Sequence, residues 1–143
     1  MNTRRSGLLG LYEKRCLTIT GEDGIHQARS ILRLLLEKTG TRDEILEAQL
    51  LTIIDELGKN ILRHGGSGRL CVAVVQASQH TGFRITAEDK GHGIADLDLA
   101  FTPGYSEDKG LGMGLNLLKA LSDDLRVGSL LSGGAFIEVW KWT

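Results

Sequence analysis

The chain has 143 residues, with 17 Lys and Arg against 18 Asp and Glu and a formal net charge of −1. This length suits a single domain (1–143), and the balanced charge argues against a nucleic-acid partner, which selects strongly basic surfaces. No stretch approaches the ~20 apolar residues of a membrane helix, so we expect a cytoplasmic protein without a membrane partner. The 19 glycines are unusual, because the typical share is about 7%.

The first half of the chain predicts a strand and two helices, after a flexible or short N-terminal extension over residues 1–14. Residues 16–20 alternate and are β-branched, which favours a strand. Apolar residues at helical spacing over 25–36 predict the first helix. The stretch 41–44 (Thr-Arg-Asp-Glu) has the form of a capping box and predicts the start of a second helix. That helix keeps its apolar phase up to His64, where a contact with the helix dipole is the simplest interpretation.

The second half predicts four strands and one helix. Residues 70–77 are apolar on both faces, as in a buried strand, and residues 83–88 alternate, as in a strand with one face in water. A glycine-rich, charged segment separates them from a helix over 111–121 and from strands over 125–131 and 135–142. The order β-α-α-β-β-loop-α-β-β indicates an α+β fold, a two-layer sandwich with a mixed sheet and its helices on one face.

The two cysteines, Cys16 and Cys71, are too few for a disulfide scaffold and lack the spacing of metal ligands. In a cytoplasmic protein both are expected to be reduced and to pack as small apolar residues. We therefore expect two free, buried cysteines.

A carboxylate and an amide lie four residues apart on the second predicted helix. Glu56 and Asn60 share one helix face, at the margin of the apolar stripe, whereas Asp55 and Lys59 are expected to point to solvent. A pocket between helix and sheet could use this pair. The alternative is the polar rim of an ordinary amphipathic helix.

A second group of residues follows the strand over 83–88. Asp89 continues the parity of the core side chains, and a buried carboxylate needs donors from the protein or from a ligand. Gly91 and Gly93 permit backbone conformations that a side chain would forbid, so the backbone could approach a flat group closely. The alternative is a strand-ending turn in which Asp89 is capped locally.

A third group opens the last predicted helix. Gly110, Gly112 and Gly114 alternate before the helix, where unobstructed N–H groups and the positive dipole end favour phosphate. The stretch matches neither the P-loop nor the dinucleotide pattern. Alone, it is a weak signal, and an ordinary glycine-rich helix start is the alternative.

In this order, the three groups resemble the N box, G1 box and G2 box of the GHKL superfamily of ATP-binding domains. The order of predicted elements is also similar to that fold, and the resemblance covers residues 15–142. The short length, without a preceding phospho-accepting histidine helix, is typical of the bacterial serine/threonine kinases related to anti-sigma factors.

Several stretches look like one branch of these kinases, the RsbT-like switch kinases of the stressosome. They are Glu-Leu-Gly-Lys-Asn-Ile at 56–61, Ala-Glu-Asp at 87–89, Gly-Tyr-Ser at 104–106 and the final Lys-Trp at 141–142. There is one departure. Family members usually have a threonine that supports the adenine-binding Asp where this chain has Ala135, so Ser132, Thr86 or water would have to replace it.

The resemblance implies a role for each residue of the three motifs. Asp89 would accept the adenine amino group, and Gly91 and Gly93 would let the base lie against the backbone. Asn60 would ligate Mg²⁺, and Glu56 would be the general base that deprotonates the attacking hydroxyl. Residues 95–111 would form a lid over ATP, and the phosphates would be held by Lys109, Gly110, Leu111, Gly112, Met113 and Gly114.

The resemblance further implies an ATP- and Mg²⁺-dependent protein serine/threonine kinase. Its acceptor would be a STAS-domain scaffold or antagonist in a stress-signalling partner-switching module, with a downstream phosphatase as a further partner. One alternative is an anti-sigma factor that sequesters a sigma factor and phosphorylates its antagonist. Another is an orphan ATPase or a sensor-kinase fragment.

Overall fold

A five-stranded sheet and three α-helices make up the computed structural model, which describes residues 10–77, 79–90 and 111–143. In chain order the elements are β1 Gly10–Ile19, α1 Glu22–Lys38, α2 Glu44–Asn60 with a π-helical turn Ile61–Gly65, β2 Gly68–Gln76, β3 Thr81–Asp89, α3 Leu111–Leu121, β4 Asp124–Ser129 and β5 Ala135–Trp142. The predicted α+β class is confirmed. Within the described residues, no helix is long and apolar enough to cross a membrane.

The strands lie in the order β1-β2-β3-β5-β4, and each neighbouring pair in the described sheet is antiparallel. The expectation of a mixed sheet is therefore wrong. β3 and β4 do run in the same direction, as strands on either side of a helical connection commonly do. β5 lies between them and is antiparallel to both, so the two parallel strands never become neighbours.

The core lies between the helices and one face of the sheet. Alternate residues of the central strands, such as Val72, Ile85 and Val139, are fully buried against apolar residues of the helices, such as Ile53 and Leu57. The side chains of the other parity form what we call the open face of the sheet, which includes Cys71, Ala73, Arg84, Thr86, Glu138 and Trp140.

The first strand begins at Gly10, six residues before the predicted start. β1 is an edge strand in which the exposed apolar Leu11 and Tyr12 are followed by three charged residues, and its register shifts between Leu11 and Glu13. Both features hide the alternation by which a strand is recognised in a sequence. The Glu13 carboxylate accepts hydrogen bonds from Lys38 Nζ, at 3.0 Å, and from Arg15 Nε, which ties the strand to the end of α1.

The second helix begins at a different cap from the predicted one. Asp43 Oδ1 accepts hydrogen bonds from the N–H groups of Ile45, at 3.1 Å, and Leu46, at 3.0 Å. The Thr41 hydroxyl instead lies 2.8 Å from that of Thr39. A carboxylate at the N-cap also complements the helix dipole, which explains why Asp43 serves here.

α1 and α2 pack closely enough that a Cβ on Gly58 would lie 2.6 Å from Ile25 Cγ1. Arg29 Nη1 donates to Asp55 Oδ2 at 2.5 Å across the same contact. Asp55 was expected to point to solvent, but it is half-buried because α1 lies over this side of α2. Lys59 is exposed, as predicted.

Cys16 and Cys71 lie opposite each other on β1 and β2, with their Cα atoms 4.0 Å apart, and their Sγ atoms are bonded. The prediction of two free thiols is therefore wrong. The pairing depends on the register of two strands that are separated by both α1 and α2. Local sequence patterns do not encode that register.

Candidate functional site

The last two turns of α2 carry the predicted N-box residues. Asn60 is buried, with 3% of its surface exposed, and Glu56 is half-buried one turn earlier on the same side. Neither Oδ1 nor Nδ2 of Asn60 has a hydrogen-bond partner among the described residues. Leaving a buried amide unpaired costs about 1–3 kcal/mol, so a fold keeps one where something else satisfies it.

The first turn of α3 packs directly on this pair through Gly114. A Cβ on Gly114 would lie 3.1 Å from Glu56 Oε2 and 3.7 Å from Asn60 Oδ1. The glycine lets the α3 backbone approach two polar side chains that a larger residue would displace. Thus the structure brings together the predicted N-box pair and the last glycine of the predicted G2 box.

Asp89 ends β3 and is buried, with 8% of its surface exposed. Its Oδ1 accepts a hydrogen bond from the N–H of Ala135 at 3.1 Å. Gly134 makes this possible: its φ is +91°, and a Cβ there would lie 1.9 Å from the Asp89 carbonyl oxygen. The backbone of β5 supplies the donor that we expected from Ser132, Thr86 or water.

The π-helical turn after α2 joins the two groups of residues. A Cβ on Gly65 would lie 2.6 Å from Asp89 Cβ, so the turn packs directly against the end of β3. Asn60 lies immediately before this turn. Asp89 and Asn60 therefore belong to the same end of the molecule, as the predicted site requires.

His64 lies in this turn and was assigned no role in the site. Its Nε2 atom is buried and has no partner among the described residues, which a simple contact with the helix dipole does not explain. The signal was present in the sequence, because Glu56, Asn60 and His64 follow one another at intervals of four residues. π-Helical turns inside helices are frequent at functional sites.

A cleft of about 440 Å³ opens beside Asp89 on the side of the open face. Among the described residues, its lining includes Arg69, Glu88, Lys90 and Ser132 but neither Glu56 nor Asn60. The cleft and the α2–α3 contact thus flank Asp89 from different sides.

Other predicted site residues are not tested by this geometry. Gly91, Gly93, Lys109 and Gly110 lie outside the described residues, as do residues 95–110 of the predicted lid. The backbones of Leu111, Gly112 and Met113 form the first turn of α3. The described part of the site therefore consists of Glu56, Asn60, Asp89 and Gly114, together with the backbone of Ala135.

This chain is similar to known proteins over a region that includes the candidate site. Residues 45–142 match the family described as histidine kinase-, DNA gyrase B-, and HSP90-like ATPase. The chain is 32% identical over 132 residues to the serine/threonine-protein kinase RsbT of Bacillus subtilis (strain 168), which covers 92% of this chain and 98% of that protein. It is 30% identical over 108 residues, 71% of each chain, to the anti-sigma F factor of Heyndrickxia coagulans.

A solved structure, that of the SiaB–SiaC complex from Pseudomonas aeruginosa, contains a chain of similar fold. The TM-score is 0.58 at 14% identity, over 93% of this chain and 91% of that one. Likeness at this identity shows the fold alone.

The family match includes all three predicted motifs, from the α2 residues through the end of β3 to the start of α3. The relatedness to serine/threonine kinases and anti-sigma factors that the motifs predicted is confirmed by RsbT and by the anti-sigma F factor. This chain belongs to the family of histidine kinase-, DNA gyrase B- and HSP90-like ATPases.

Proposed function

We propose that the chain is an ATP-dependent protein serine/threonine kinase that phosphorylates STAS-domain partners in a cytoplasmic, stressosome-type partner-switching module. The proposal is supported by similarity to a serine/threonine-protein kinase over 98% of that protein's length. The observation that carries it is the contact of Gly114 with Glu56 and Asn60, because it places a carboxylate and an unpaired buried amide against the first turn of α3.

Asn60 suits a Mg²⁺ site, because Mg²⁺ prefers oxygen ligands and usually keeps several waters and phosphate oxygens. The unpaired Oδ1 supplies one such ligand from the protein. When bound, Mg²⁺ would neutralise charge on the phosphates of ATP. The described residues contain no group of three or more His, Cys, Asp or Glu that could hold a metal by themselves, so Asn60 would act together with the nucleotide.

Glu56 would act as the general base. The hydroxyl oxygen of the acceptor Ser or Thr attacks the γ-phosphorus, and its proton passes to the Glu56 carboxylate. The bond between the γ-phosphorus and the bridging oxygen breaks, and ADP leaves with that oxygen. Phosphoryl transfer depends chiefly on positioning and charge neutralisation, so a base, a metal ion and a set of backbone donors suffice.

Asp89 would bind the adenine amino group through its carboxylate. The Ala135 N–H and the close approach of Gly134 hold this carboxylate in place without the threonine of the family. Gly91 and Gly93 would contact the base. Lys109 would contact the phosphates, as would the segment from Gly110 to Gly114.

The decisive experiment mixes the full chain, Mg-ATP and a STAS-domain protein from the same genome, and then measures the intact mass of that partner. One added phosphoryl group on a Ser or Thr, located by fragmentation, is the expected result. An unmodified partner, in a sample where calorimetry shows normal ATP binding, would refute the kinase assignment. A phosphatase that the phosphorylated or released module activates would be a further partner.

A second candidate function is an anti-sigma factor that sequesters a sigma factor and phosphorylates its antagonist. It is favoured by the relatives named anti-sigma F factor, including one from Halalkalibacterium halodurans that is 33% identical over 94 residues. Co-purification distinguishes the two. A sigma factor retained on the tagged chain would favour this candidate, and a STAS-domain assembly would favour the switch kinase.

A further inference from the structure

Cys16 and Cys71 form a bonded pair on the open face of the sheet, away from the α2–α3 contact. We propose that they are a reversible thiol–disulfide modification site, reduced and re-formed by small thiols and disulfides of the glutathione class, which controls how firmly β1 is held to the sheet. This proposal is independent of the proposed kinase activity.

The two sulfur atoms differ in accessibility. Cys71 is buried, with 8% of its surface exposed, because it lies on the more central strand, whereas Cys16 on the edge strand is half-buried. Attack by an incoming thiolate is therefore expected at the Cys16 sulfur. Cys71 would be the leaving thiolate, since the sulfur that is harder to reach is the poorer target.

The exchange is balanced in two steps. A small thiolate attacks Cys16 Sγ, forms a mixed disulfide and expels the Cys71 thiolate. A second small thiolate then attacks the small-molecule sulfur of the mixed disulfide and releases the Cys16 thiolate, which leaves one small-molecule disulfide. Two electrons pass from the two small thiols to the protein, and the two protein thiolates take protons from water. Re-oxidation by the small disulfide is the reverse sequence.

Two cations flank the pair on the same face. Lys14 and Arg69 each lie two residues before one of the cysteines, and both are exposed. Positive charge near a cysteine favours the thiolate, which is the form that exchanges. Across the sheet, the uncharged Thr86 lies opposite Cys71, and the acidic Glu88 lies opposite Arg69 rather than opposite either sulfur.

The bond matters because β1 is an edge strand. In the described sheet β1 pairs with β2 alone, and the bond joins two residues that are 55 positions apart, closing a loop that contains α1 and α2. Glu56 and Asn60 lie within this loop. Reduction leaves the backbone ladder and the buried Ile19 in place but removes the covalent tie, so the edge strand should open more often without global unfolding.

The test needs no variant. The full chain is equilibrated in mixtures of reduced and oxidised glutathione, free thiols are trapped by alkylation, and the intact mass is measured while tryptophan fluorescence reports the fold. We expect two alkylated thiols in reduced glutathione, none in oxidised glutathione, and repeated cycling between them in folded protein. A bond that resists reduction in the folded state, or thiols that never pair, would overturn the proposal.

Hydrogen exchange tests the structural half of the proposal. Amides of β1 should exchange on the order of tenfold faster in the reduced protein than in the oxidised one, with little change in β3. The double variant Cys16→Ser/Cys71→Ser should exchange like the reduced wild type in either buffer. Equal β1 exchange in the reduced and oxidised wild type would show that the bond does not hold the strand.

Discussion

Two buried polar side chains, one on the open face of the sheet and one on the helix side, differ sharply in their hydrogen bonding. Glu138, on the open face, accepts two hydrogen bonds from Arg84 at Oε2, at 2.9 and 2.5 Å, and one from Trp140 Nε1 at Oε1, at 3.0 Å. Asn60, on the helix side, has no partner for either polar atom among the described residues. Folding alone favours the first arrangement and penalises the second, so we expect Glu138 to contribute to stability, whereas the unpaired Asn60 agrees with the ligand role proposed for it.

The largest effect is expected for Glu56→Gln, which tests the functional role of the helix side. We expect phosphotransfer to fall by about 100-fold or more, because the amide cannot accept the hydroxyl proton, whereas ATP binding persists. Phosphotransfer to the STAS-domain partner and calorimetric ATP binding measure the two effects. Lys59→Gln on the exposed side of the same helix is the matched control and should transfer normally. Native transfer by Glu56→Gln would mean that Glu56 is not the base.

On the open face, Glu138→Leu should lower the free energy of unfolding by about 1–3 kcal/mol. The change leaves Arg84 and the Trp140 N–H without their acceptor, although Arg84 remains partly in water, which limits the cost. Urea unfolding followed by tryptophan fluorescence measures it. The variant should still bind ATP. A loss of ATP binding greater than the loss of folded protein would contradict the division between the two faces.

Gly114→Ala should separate activity from stability. The added Cβ lies 3.1 Å from Glu56 Oε2 and displaces the carboxylate, so we expect transfer to fall about tenfold. The free energy of unfolding should not fall, because alanine favours a helix over glycine by about 1 kcal/mol. Gly128→Ala, where a Cβ would meet open space, is the control for both assays. Unchanged transfer in Gly114→Ala would show that the contact does not position Glu56.

Asn60→Leu tests the difference between the two side chains through the sign of its effect on the free energy of unfolding. Without nucleotide, the free energy of unfolding should stay the same or rise by up to about 1 kcal/mol, because the unpaired amide is removed. Mg-ATP should raise the Tm of the wild type, and this rise should disappear in the variant. Thermal unfolding with and without Mg-ATP measures both. A destabilised ligand-free variant would show that Asn60 has a structural partner.

The smallest effect is expected at the edge of the sheet. Hydrogen bonds from Lys38 and Arg15 hold the pKa of Glu13 below its ordinary value of 4.5. The stabilisation is therefore present above about pH 4.5 and is lost as the pH falls through the lowered pKa. The free energies of unfolding of the wild type and Glu13→Gln, measured across this window, should converge at low pH. If the difference in their free energies of unfolding stayed constant with pH, the ionised carboxylate would not be the source of that difference.

The helices and central strands were predictable because their apolar residues repeat at the period of the element. The three motifs were likewise recognisable, since the residues within each motif are close in the sequence. What the sequence did not predict depends on tertiary contacts. The early part of β1 leaves Leu11 and Tyr12 exposed and shifts register beside them, so it lacks a clear alternation. Asp55 is covered by α1 only when the two helices pack.

Some glycines likewise have roles that depend on tertiary contacts. Gly65 and Gly134 both allow the backbone to approach Asp89 closely, a contact between residues that are far apart in the sequence. The hydrogen bond from the Ala135 N–H to Asp89 could not be predicted from the sequence either, because it joins residues 46 positions apart. The pairing of Cys16 with Cys71 required the register of β1 and β2, which the turns and helices between them fix only in three dimensions.

The position of β5 has a consequence for the growing chain. Residues 135–142 are synthesised last among the described elements, yet they lie in the interior of the sheet between β3 and β4. During translation the earlier strands can pair, but β4 has no neighbour and Asp89 lacks its donor until β5 has left the ribosome. A nascent chain that still lacks β5 therefore lacks the Ala135 N–H that donates to the Asp89 carboxylate.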